Sequence, residues 1–287
     1  MAAPSNTLGV IAGGGELPLA IARASEADGR SVFVLALAGM AAAADVAPFP
    51  HAFVSLGELG KAIKLLKGAG CSEVALAGKV SRPEFSKLRV DVKGAFALPK
   101  VIAAAAKGDD ALLRALVGII EDEGLRVVGS TDAAATLAAP LGPIGRLKPT
   151  PDQERDIGHA VKVVLTIGAL DVGQAAVVCN GLVLAVEAAE GTDSMLQRVA
   201  ALPAALRGSA ENRKGVLVKS VKPQQERRVD LPVIGIRTIE LAAAAGLAGI
   251  AIEAGAALIV NRHRVAEEAD RRGLFVLGFA LEDYRSG

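Results

Sequence analysis

The chain has 287 residues and a formal net charge of +1, and 52% of its residues are hydrophobic. This length is sufficient for two domains, and the apolar composition excludes an intrinsically disordered protein. A charge so close to neutral argues against nonspecific nucleic-acid binding, which needs a basic field. No nucleic-acid partner is therefore predicted.

The sequence also argues against export and membrane insertion. The N-terminus lacks a basic region followed by a long apolar one, so no signal peptide is predicted. The longest uncharged apolar run, residues 32–44, is shorter than the roughly 20 residues that span a bilayer. We expect a cytoplasmic protein, although a lipid ligand stays open because a lipid-binding cleft needs no span. Cys71 and Cys179 stand in apolar, strand-like segments and are predicted to be buried structural thiols.

The first predicted element is a buried strand at residues 8–12, followed by Gly13, Gly14 and Gly15 and then a helix to about residue 28. Free backbone N–H groups at a helix start bind anions, and glycine lets a ligand approach the backbone. This turn is thus a candidate substrate-binding site. Pro18 stands where the dinucleotide fingerprint needs glycine, and no Gly-Lys-Ser/Thr follows for a P-loop. A tight turn without a ligand is the alternative.

The next segments alternate between the two kinds of element. Strands are predicted at residues 31–37, 52–55, 73–77 and 126–128, and helices at residues 56–69 and 111–123. Lys79 and Arg82 follow the fourth strand, where open α/β sheets bind ligands; ordinary surface cations are the alternative. Asp109 or Asp110 is predicted to cap the second of these helices. The alternation predicts a Rossmann-like parallel-sheet domain over residues 1–133.

A cluster of prolines and glycines follows and predicts a linker at residues 134–151. Its members are Pro140, Gly142, Pro143, Gly145, Pro149 and Pro151. Asp152 is then predicted to cap a helix that runs to about residue 170. A distinct C-terminal α/β domain is predicted over residues 152–287.

A β-hairpin is predicted in this second domain, because Asn180-Gly181 is a favoured pair for a type I′ turn. The hairpin leads into a segment with three carboxylates, Glu187, Glu190 and Asp193. Such a cluster at a strand-to-helix junction suggests a metal ion or a cationic partner. The alternative is that Thr192 or Asp193 merely caps the following helix.

The most chemically dense stretch spans residues 215–235. A predicted strand at 216–218 opens into a charged turn, and Pro223 and Pro232 restrict the backbone near its two ends. The turn carries Lys219, Lys222, Gln225, Glu226 and Asp230. Cations and carboxylates on a constrained turn suit an anionic substrate, with or without a metal; an ordinary charged connection is the alternative.

The remaining segments continue the α/β pattern. Helices are predicted at residues 238–245 and up to residue 272, and strands at 249–252, 258–260 and 274–279. His263, one of three histidines, stands between two arginines and is predicted to lie on the surface.

Several short motifs are spread along the chain: Ile-Ala-Gly-Gly-Gly-Glu-Leu-Pro (11–18), Ala-Gly-Lys-Val (77–80), Gly-Asp-Asp-Ala-Leu-Leu-Arg (108–114), Asp-Val-Gly-Gln (171–174), Val-Glu-Ala-Ala-Glu-Gly-Thr-Asp (186–193) and Arg-x-Asp-Leu-Pro (228–232). Together they resemble one family, the UDP-2,3-diacylglucosamine pyrophosphatases of the LpxI type. The resemblance covers nearly the whole chain. One departure is Glu226, where the family pattern has aspartate.

The resemblance implies a Mg²⁺-dependent hydrolase of lipid A biosynthesis. It would cleave the pyrophosphate of UDP-2,3-diacylglucosamine to UMP and 2,3-diacylglucosamine 1-phosphate (lipid X). It also implies two α/β domains that hold the ligand between them, and a homodimer. The alternative is a nucleotide- or sugar-phosphate-binding module without catalysis, which would tolerate removal of magnesium.

Residues and resemblance together predict three sets of site residues. Catalytic roles are predicted for Asp230, Glu226, Lys219 and Lys222. Substrate binding is predicted for Gly13, Gly14, Gly15, Lys79, Thr192 and Gln225, and metal binding for Asp230, Glu187, Glu190 and Asp193. No amphipathic basic helix is evident in the sequence, so we expect the acyl chains to enter a cleft shaped by the domains and linker. Peripheral contact with the inner membrane is a further expectation.

Overall fold

The structure, a computed structural model, describes residues 7–80, 84 and 88–284. Arg82, predicted to reach a phosphate, lies outside these residues. The chain divides into two compact units. The first comprises Met1–Thr136 together with Glu226–Asp230, and the second comprises Leu137–Gln225 together with Leu231–Gly287.

The first unit contains a five-stranded parallel sheet, as predicted. Its strands are β1 (Thr7–Ala12), β2 (Ser31–Leu37), β3 (His51–Val54), β4 (Cys71–Ala77) and β5 (Arg126–Val127). The order is β3-β2-β1-β4-β5, and every neighbouring pair is parallel. The chain changes direction across the sheet between β1 and β4, so the glycine turn after β1 lies at a topological switch point.

The helices of this unit are α1 (Leu17–Ala27), α2 (Ala43–Val46), α3 (Leu59–Gly68), α4 (Val92–Ala105), α5 (Asp109–Asp122) and α6 (Ser130–Ala133). The sequence analysis missed α4, whose lysines and Pro99 interrupt the apolar pattern. The prediction that Asp109 or Asp110 caps α5 is wrong, because the N-cap is Gly108 and no side chain makes a cap hydrogen bond there. Leu35, Leu66 and Val74 contribute to the core beside α5, and Val229 from the distant turn packs against the same cluster.

The second unit is built on a six-stranded mixed sheet in the order β6-β13-β11-β9-β7-β8. Its strands are β6 (Gly142–Pro143), β7 (Ala175–Cys179), β8 (Leu182–Val186), β9 (Val216–Lys219), β11 (Gly249–Glu253) and β13 (Phe275–Phe279), with β10 (Val233–Ile234) and β12 (Leu258–Ile259) paired separately. Strands β9, β11 and β13 are parallel. Strand β7 runs antiparallel to β9, and β8 runs antiparallel to β7.

Two apolar layers cover this sheet because alternate strand residues face opposite sides. The helices are α7 (Pro151–Ala169), α8 (Gly191–Ala200), α9 (Ala204–Arg207), α10 (Ile236–Ala244) and α11 (Arg262–Arg272). Helix α7 packs Ile157 and Val161 against Val216 and Val218 on one face. Residues of α8, α10 and α11 share a cluster with Leu217 on the other.

The stretch predicted as a linker, residues 134–151, is folded. It includes a 3₁₀ turn at Ala135–Leu137 and strand β6, which pairs antiparallel with β13. Thr150, not the predicted Asp152, is the N-cap of α7. Its hydroxyl accepts from the Gln153 N–H at 3.4 Å, and Gln153 Oε1 accepts from the Thr150 N–H at 2.9 Å, which together form a capping box.

Several local predictions are confirmed. Asn180 and Gly181 have φ values of 51° and 76°, as a type I′ hairpin turn requires. Cys71 and Cys179 are buried free thiols, and burial raises the pKa of Cys71 to about 11. His263 is exposed. Among the residues described, no helix combines the length and apolarity needed to cross a bilayer.

Candidate active site

The glycine turn after β1 is held by backbone hydrogen bonds. The Gly13 N–H donates to the Ala77 carbonyl at 2.9 Å, and the Gly14 N–H donates to the Lys79 carbonyl at 2.8 Å. The Lys79 N–H returns a bond of 2.8 Å to the Gly14 carbonyl. Two of the three amides predicted to bind an anion therefore donate to the end of β4 and to the chain just after it, and the substrate-binding role of Gly13 and Gly14 stays a prediction.

Close backbone approach explains why glycine is needed at this turn. A Cβ on Gly13 would lie 2.6 Å from the Lys79 carbonyl oxygen. Gly15 differs, because it has a φ of +92° and its Cβ would meet no atom within 4 Å. Gly15 and the exposed Lys79 thus keep their substrate-binding assignment as predictions.

The turn at residues 226–230 belongs to the first unit and is fastened to α5. The Glu226 N–H donates to Asp110 Oδ1 at 2.8 Å. The Glu226 carbonyl then accepts from the N–H groups of Val229 and Asp230 at 3.1 and 3.3 Å. Asp110, which is only 5% exposed and also pairs with Arg114, therefore anchors the turn rather than capping its own helix.

Arg228 makes the second attachment of this turn. Its guanidinium donates to both carboxylate oxygens of Glu226, at 2.9 and 3.0 Å, and to Glu121 on α5 at 2.8 Å. The hydrogen bond from Arg228 holds the pKa of Glu226 below its usual value. Glu226 is thus an ionised group that orders the turn, and the half-buried Asp230 lies at the end of that turn.

The second unit gathers buried polar groups at one end of its six-stranded sheet. We call this set the polar end: Asp171, Gln174, Glu187, Thr192, Lys219, Ser220, Lys222, Gln225 and Glu253. Parallel strands β9 and β11 finish there, antiparallel β7 begins there and β8 finishes there, with Lys219 opposite both Ala175 and Ile252. The topology alone therefore concentrates residues from four strands.

Lys219 is the first cation of the polar end and is 5% exposed. Its ammonium donates to the Thr192 hydroxyl at 2.8 Å and to the Val233 carbonyl at 3.3 Å. Thr192 in turn contacts Glu187 Oε1 at 2.5 Å. An ammonium group only donates hydrogen bonds, and an ionised carboxylate only accepts them. The Thr192 hydroxyl therefore accepts from Lys219 and donates its own hydrogen bond to Glu187. Thr192 thus orients Lys219, and its contact with the substrate stays a prediction.

Lys222 is the second cation. Its ammonium lies 2.6 Å from Asp171 Oδ1, and its side chain is 10% exposed. The predicted substrate ligand Gln225 also serves this loop: its Oε1 accepts from the Lys222 N–H at 2.8 Å, and its Nε2 donates to Gln174 Oε1 at 3.3 Å. The side-chain amide of Gln225 therefore stabilises the backbone conformation of the loop at Lys222.

Glu253 is a site residue that the sequence analysis did not identify. It is 6% exposed, and its carboxylate accepts from the Ser220 hydroxyl and from the Val221 N–H at 3.2 Å. The signal was present, because Glu253 ends the otherwise apolar strand β11. Gly173, in the motif at residues 171–174, allows close backbone packing beside this set, since a Cβ there would lie 2.1 Å from the Glu187 carbonyl oxygen.

The four predicted metal ligands are divided between the two units. Asp230 belongs to the first unit, and Glu187, Glu190 and Asp193 belong to the second. Glu187 accepts from Thr192 and from the Gln174 N–H at 3.1 Å, and Glu190 pairs with Arg198 and is the N-cap residue of α8. Within the described ranges, no group of three or more His, Cys, Asp or Glu side chains is placed to hold a metal ion.

Comparison with known proteins covers both units. Residues 7–137 match the family described as the LpxI N-terminal domain, and residues 140–277 match the LpxI C-terminal domain. The chain is 52% identical over 271 residues to the UDP-2,3-diacylglucosamine pyrophosphatase LpxI of Caulobacter vibrioides. That alignment covers 94% of this chain and 96% of the relative.

Proposed function

This chain belongs to the LpxI family, and from that membership we propose that it hydrolyses the pyrophosphate bond of UDP-2,3-diacylglucosamine. The products would be UMP and 2,3-diacylglucosamine 1-phosphate (lipid X), within lipid A biosynthesis. The observation that carries the proposal is the 52% identity to a pyrophosphatase across nearly the full length of both proteins.

The polar end supports this chemistry. A pyrophosphate is an anion whose charge grows on the oxygens of the reacting phosphorus, and fixed cations in a site with little water stabilise that charge. Lys219 and Lys222 are such cations, since both are buried and held by side-chain partners. When substrate binds, the Lys222 ammonium would donate to a phosphate oxygen, and its interaction with Asp171 would weaken.

Asp230 is the proposed catalytic carboxylate. A water molecule attacks one phosphorus, its proton passes to Asp230, and the bond from that phosphorus to the bridging oxygen breaks. Glu226 contributes by ordering the turn, because both of its carboxylate oxygens accept from Arg228. Asp230→Ala should lower kcat by about a hundredfold or more, the usual range for loss of a general base, and should retain substrate binding.

We also propose that Mg²⁺ assists. Magnesium typically uses one or two protein carboxylates and completes its shell with phosphate oxygens and water. The turn ending at Asp230 fits that requirement with one carboxylate, whereas a cage of all four predicted ligands does not. When bound, the ion supplies positive charge that offsets the charge of the pyrophosphate. Treatment with a chelator should abolish turnover, and added Mg²⁺ should restore it; full activity in chelator would exclude the ion.

The decisive experiment compares two substrates in mixed detergent micelles. UDP-2,3-diacylglucosamine should give UMP and lipid X, while UDP-N-acetylglucosamine, which lacks the long acyl chains, should be cleaved far more slowly. Equal turnover of both would contradict the proposal. Asp230→Asn serves as the companion variant, and near-normal cleavage by it would remove Asp230 from the catalytic residues. We further propose a cytoplasmic homodimer that contacts the inner membrane, which light scattering and cell fractionation would test.

A further inference from the structure

Helix α4 has an apolar outer face. The side chains of Val92 and Phe96 are 75% and 84% exposed, and Ile102 is 43% exposed. The chain has only seven phenylalanines and no tryptophan. The exposure of one of these few large apolar side chains is therefore notable. Ala95, Pro99, Ala103 and Ala106 are also exposed on this helix or at its end.

Lysines border this apolar face. Residues 92–107 contain Lys93, Lys100 and Lys107 and no aspartate or glutamate. A spacing of seven residues is nearly two helical turns, so Lys93 and Lys100 lie along one edge of the face, and Lys107 follows just after the end of the helix. Acidic groups lie near this row: Asp91 is the N-cap of α4, Lys93 pairs with Glu123, and Lys100 lies 3.9 Å from Asp122. Both lysine side chains remain at least half exposed, and exposed pairs of this kind are weak.

The inner side of α4 is accounted for by packing within the first unit. Helices α3 and α5 contact it, and Gly94 and Ala105 are buried. The remaining face joins aromatic and aliphatic groups to a flanking row of lysines. That combination is typical of helices that lie in the interface of a membrane rather than across it.

We propose that the outer face of α4 docks this protein on an anionic lipid bilayer. Phe96, Val92 and Ile102 would enter the boundary between headgroups and acyl chains, and the lysines would contact lipid phosphates. A second copy of the chain fits this face less well, because a symmetric contact would place one row of lysines against another. The inference rests on the proposed function in one respect, namely that a diacylated substrate resides in a bilayer.

Vesicle co-sedimentation tests the proposal without any turnover. The full chain should bind vesicles of phosphatidylcholine and phosphatidylglycerol more tightly than vesicles of phosphatidylcholine alone. Phe96→Ser should weaken binding to the mixed vesicles about tenfold, because it removes the aromatic side chain that would enter the bilayer. Lys107→Gln should weaken it about fivefold, and less at high salt. The matched control is Leu182→Ser on β8, where a 51% exposed leucine should not contribute.

Three outcomes would overturn the proposal. One is unchanged vesicle binding by Phe96→Ser. Another is a change in molecular mass with that variant, which would assign the face to a second copy. The third is an equal loss of turnover in detergent micelles, which would assign the face to the acyl chains of the substrate. Failure of the proposed function would look different. If the wild-type protein bound vesicles through Phe96 but did not cleave UDP-2,3-diacylglucosamine in micelles, the docking proposal would stand and the proposed hydrolysis would be wrong.

Discussion

The glycine turn of the first unit and the polar end of the second both lie at the carboxyl ends of sheet strands, yet they are held in different ways. Backbone hydrogen bonds from Gly13 to the last residue of β4 and from Gly14 to Lys79 shape the turn. Side chains shape the polar end, where Thr192 orients Lys219 and Asp171 orients Lys222. Changes at the turn should therefore act on folding, whereas changes at the polar end should act on the reaction.

The largest effect is expected from Lys222→Ala at the polar end. Removal of a buried cation that stabilises developing phosphate charge should lower kcat by about a hundredfold to a thousandfold. Part of any stability loss would come from Asp171, which would remain without its partner. The measurement is steady-state hydrolysis beside thermal unfolding, and Lys162→Ala on the exposed side of α7 is the control.

The double variant Lys222→Ala, Asp171→Ala separates the two contributions. If Lys222 acts on the substrate, removing Asp171 as well should restore stability while activity stays low. Recovery of both stability and activity would show that the ion pair is purely structural, and the contrast between the two regions would fail.

The next effect concerns the glycine turn. Gly13→Ala forces a Cβ to within 2.6 Å of the Lys79 carbonyl oxygen, so the free energy of unfolding should fall by about 1–3 kcal/mol, as in other overpacked sites. Turnover per folded molecule should not change. Gly118→Ala within α5 is the control, because its Cβ would meet no atom within 4 Å and should stabilise the helix slightly. A stable Gly13→Ala protein with weakened substrate affinity would return the turn to the binding site.

A smaller effect is expected from Thr192→Val, which keeps the shape and removes the hydroxyl between Lys219 and Glu187. We expect kcat to fall about tenfold, equivalent to about 1.4 kcal/mol, since Lys219 loses one acceptor but stays in place. Thr192→Ser should recover most of the activity. Thr166→Val is the control, because the Thr166 hydroxyl makes an exposed bond to the Lys162 carbonyl. An equal loss with both valine variants would point to a general packing defect.

The smallest effect concerns the turn at residues 226–230, which combines backbone and side-chain attachment. The pKa of Glu226 is lowered from 4.5 in the folded state, so the stability from its pair with Arg228 is present above pH 4.5 and is lost as pH falls below it. Glu226→Gln should therefore reduce stability by up to about 1 kcal/mol at neutral pH, and the difference should shrink in acid. A difference that is constant with pH would contradict the ionised pair; Glu26→Gln on α1 is the control.

Much of the fold follows from local patterns. Strands β2 and β8 have their predicted bounds, and β7 begins and ends one residue later than predicted, because apolar runs and the Asn180-Gly181 turn are local signals. Helix α4 was missed because two lysines and Pro99 interrupt its apolar residues. The stretch at residues 134–151 was taken for a linker because proline and glycine mark turns, but strand β6 pairs with β13 far along the chain.

The site was predicted less completely for the same reason. Asp110 looks like a helix cap in sequence, and its contact with the Glu226 N–H joins residues 116 positions apart. From the sequence, Glu253 follows an apolar strand and resembles the start of a turn. In the structure it ends β11 and its carboxylate accepts a hydrogen bond from the Ser220 hydroxyl. Neither partner can be identified from sequence spacing, because each contact depends on which distant elements become neighbours in the fold.

By itself, then, the sequence determined the class of each domain, the family and the residue types available for an anionic substrate. These are properties of composition, periodicity and motif. Only the tertiary structure decided that the amides of Gly13 and Gly14 are occupied, that the turn carrying Asp230 is fastened to α5, and that four strands bring Lys219, Lys222 and Glu253 to one end of a sheet. Those facts depend on strand order and on hydrogen bonds between residues far apart in the sequence, and both form only when the chain folds.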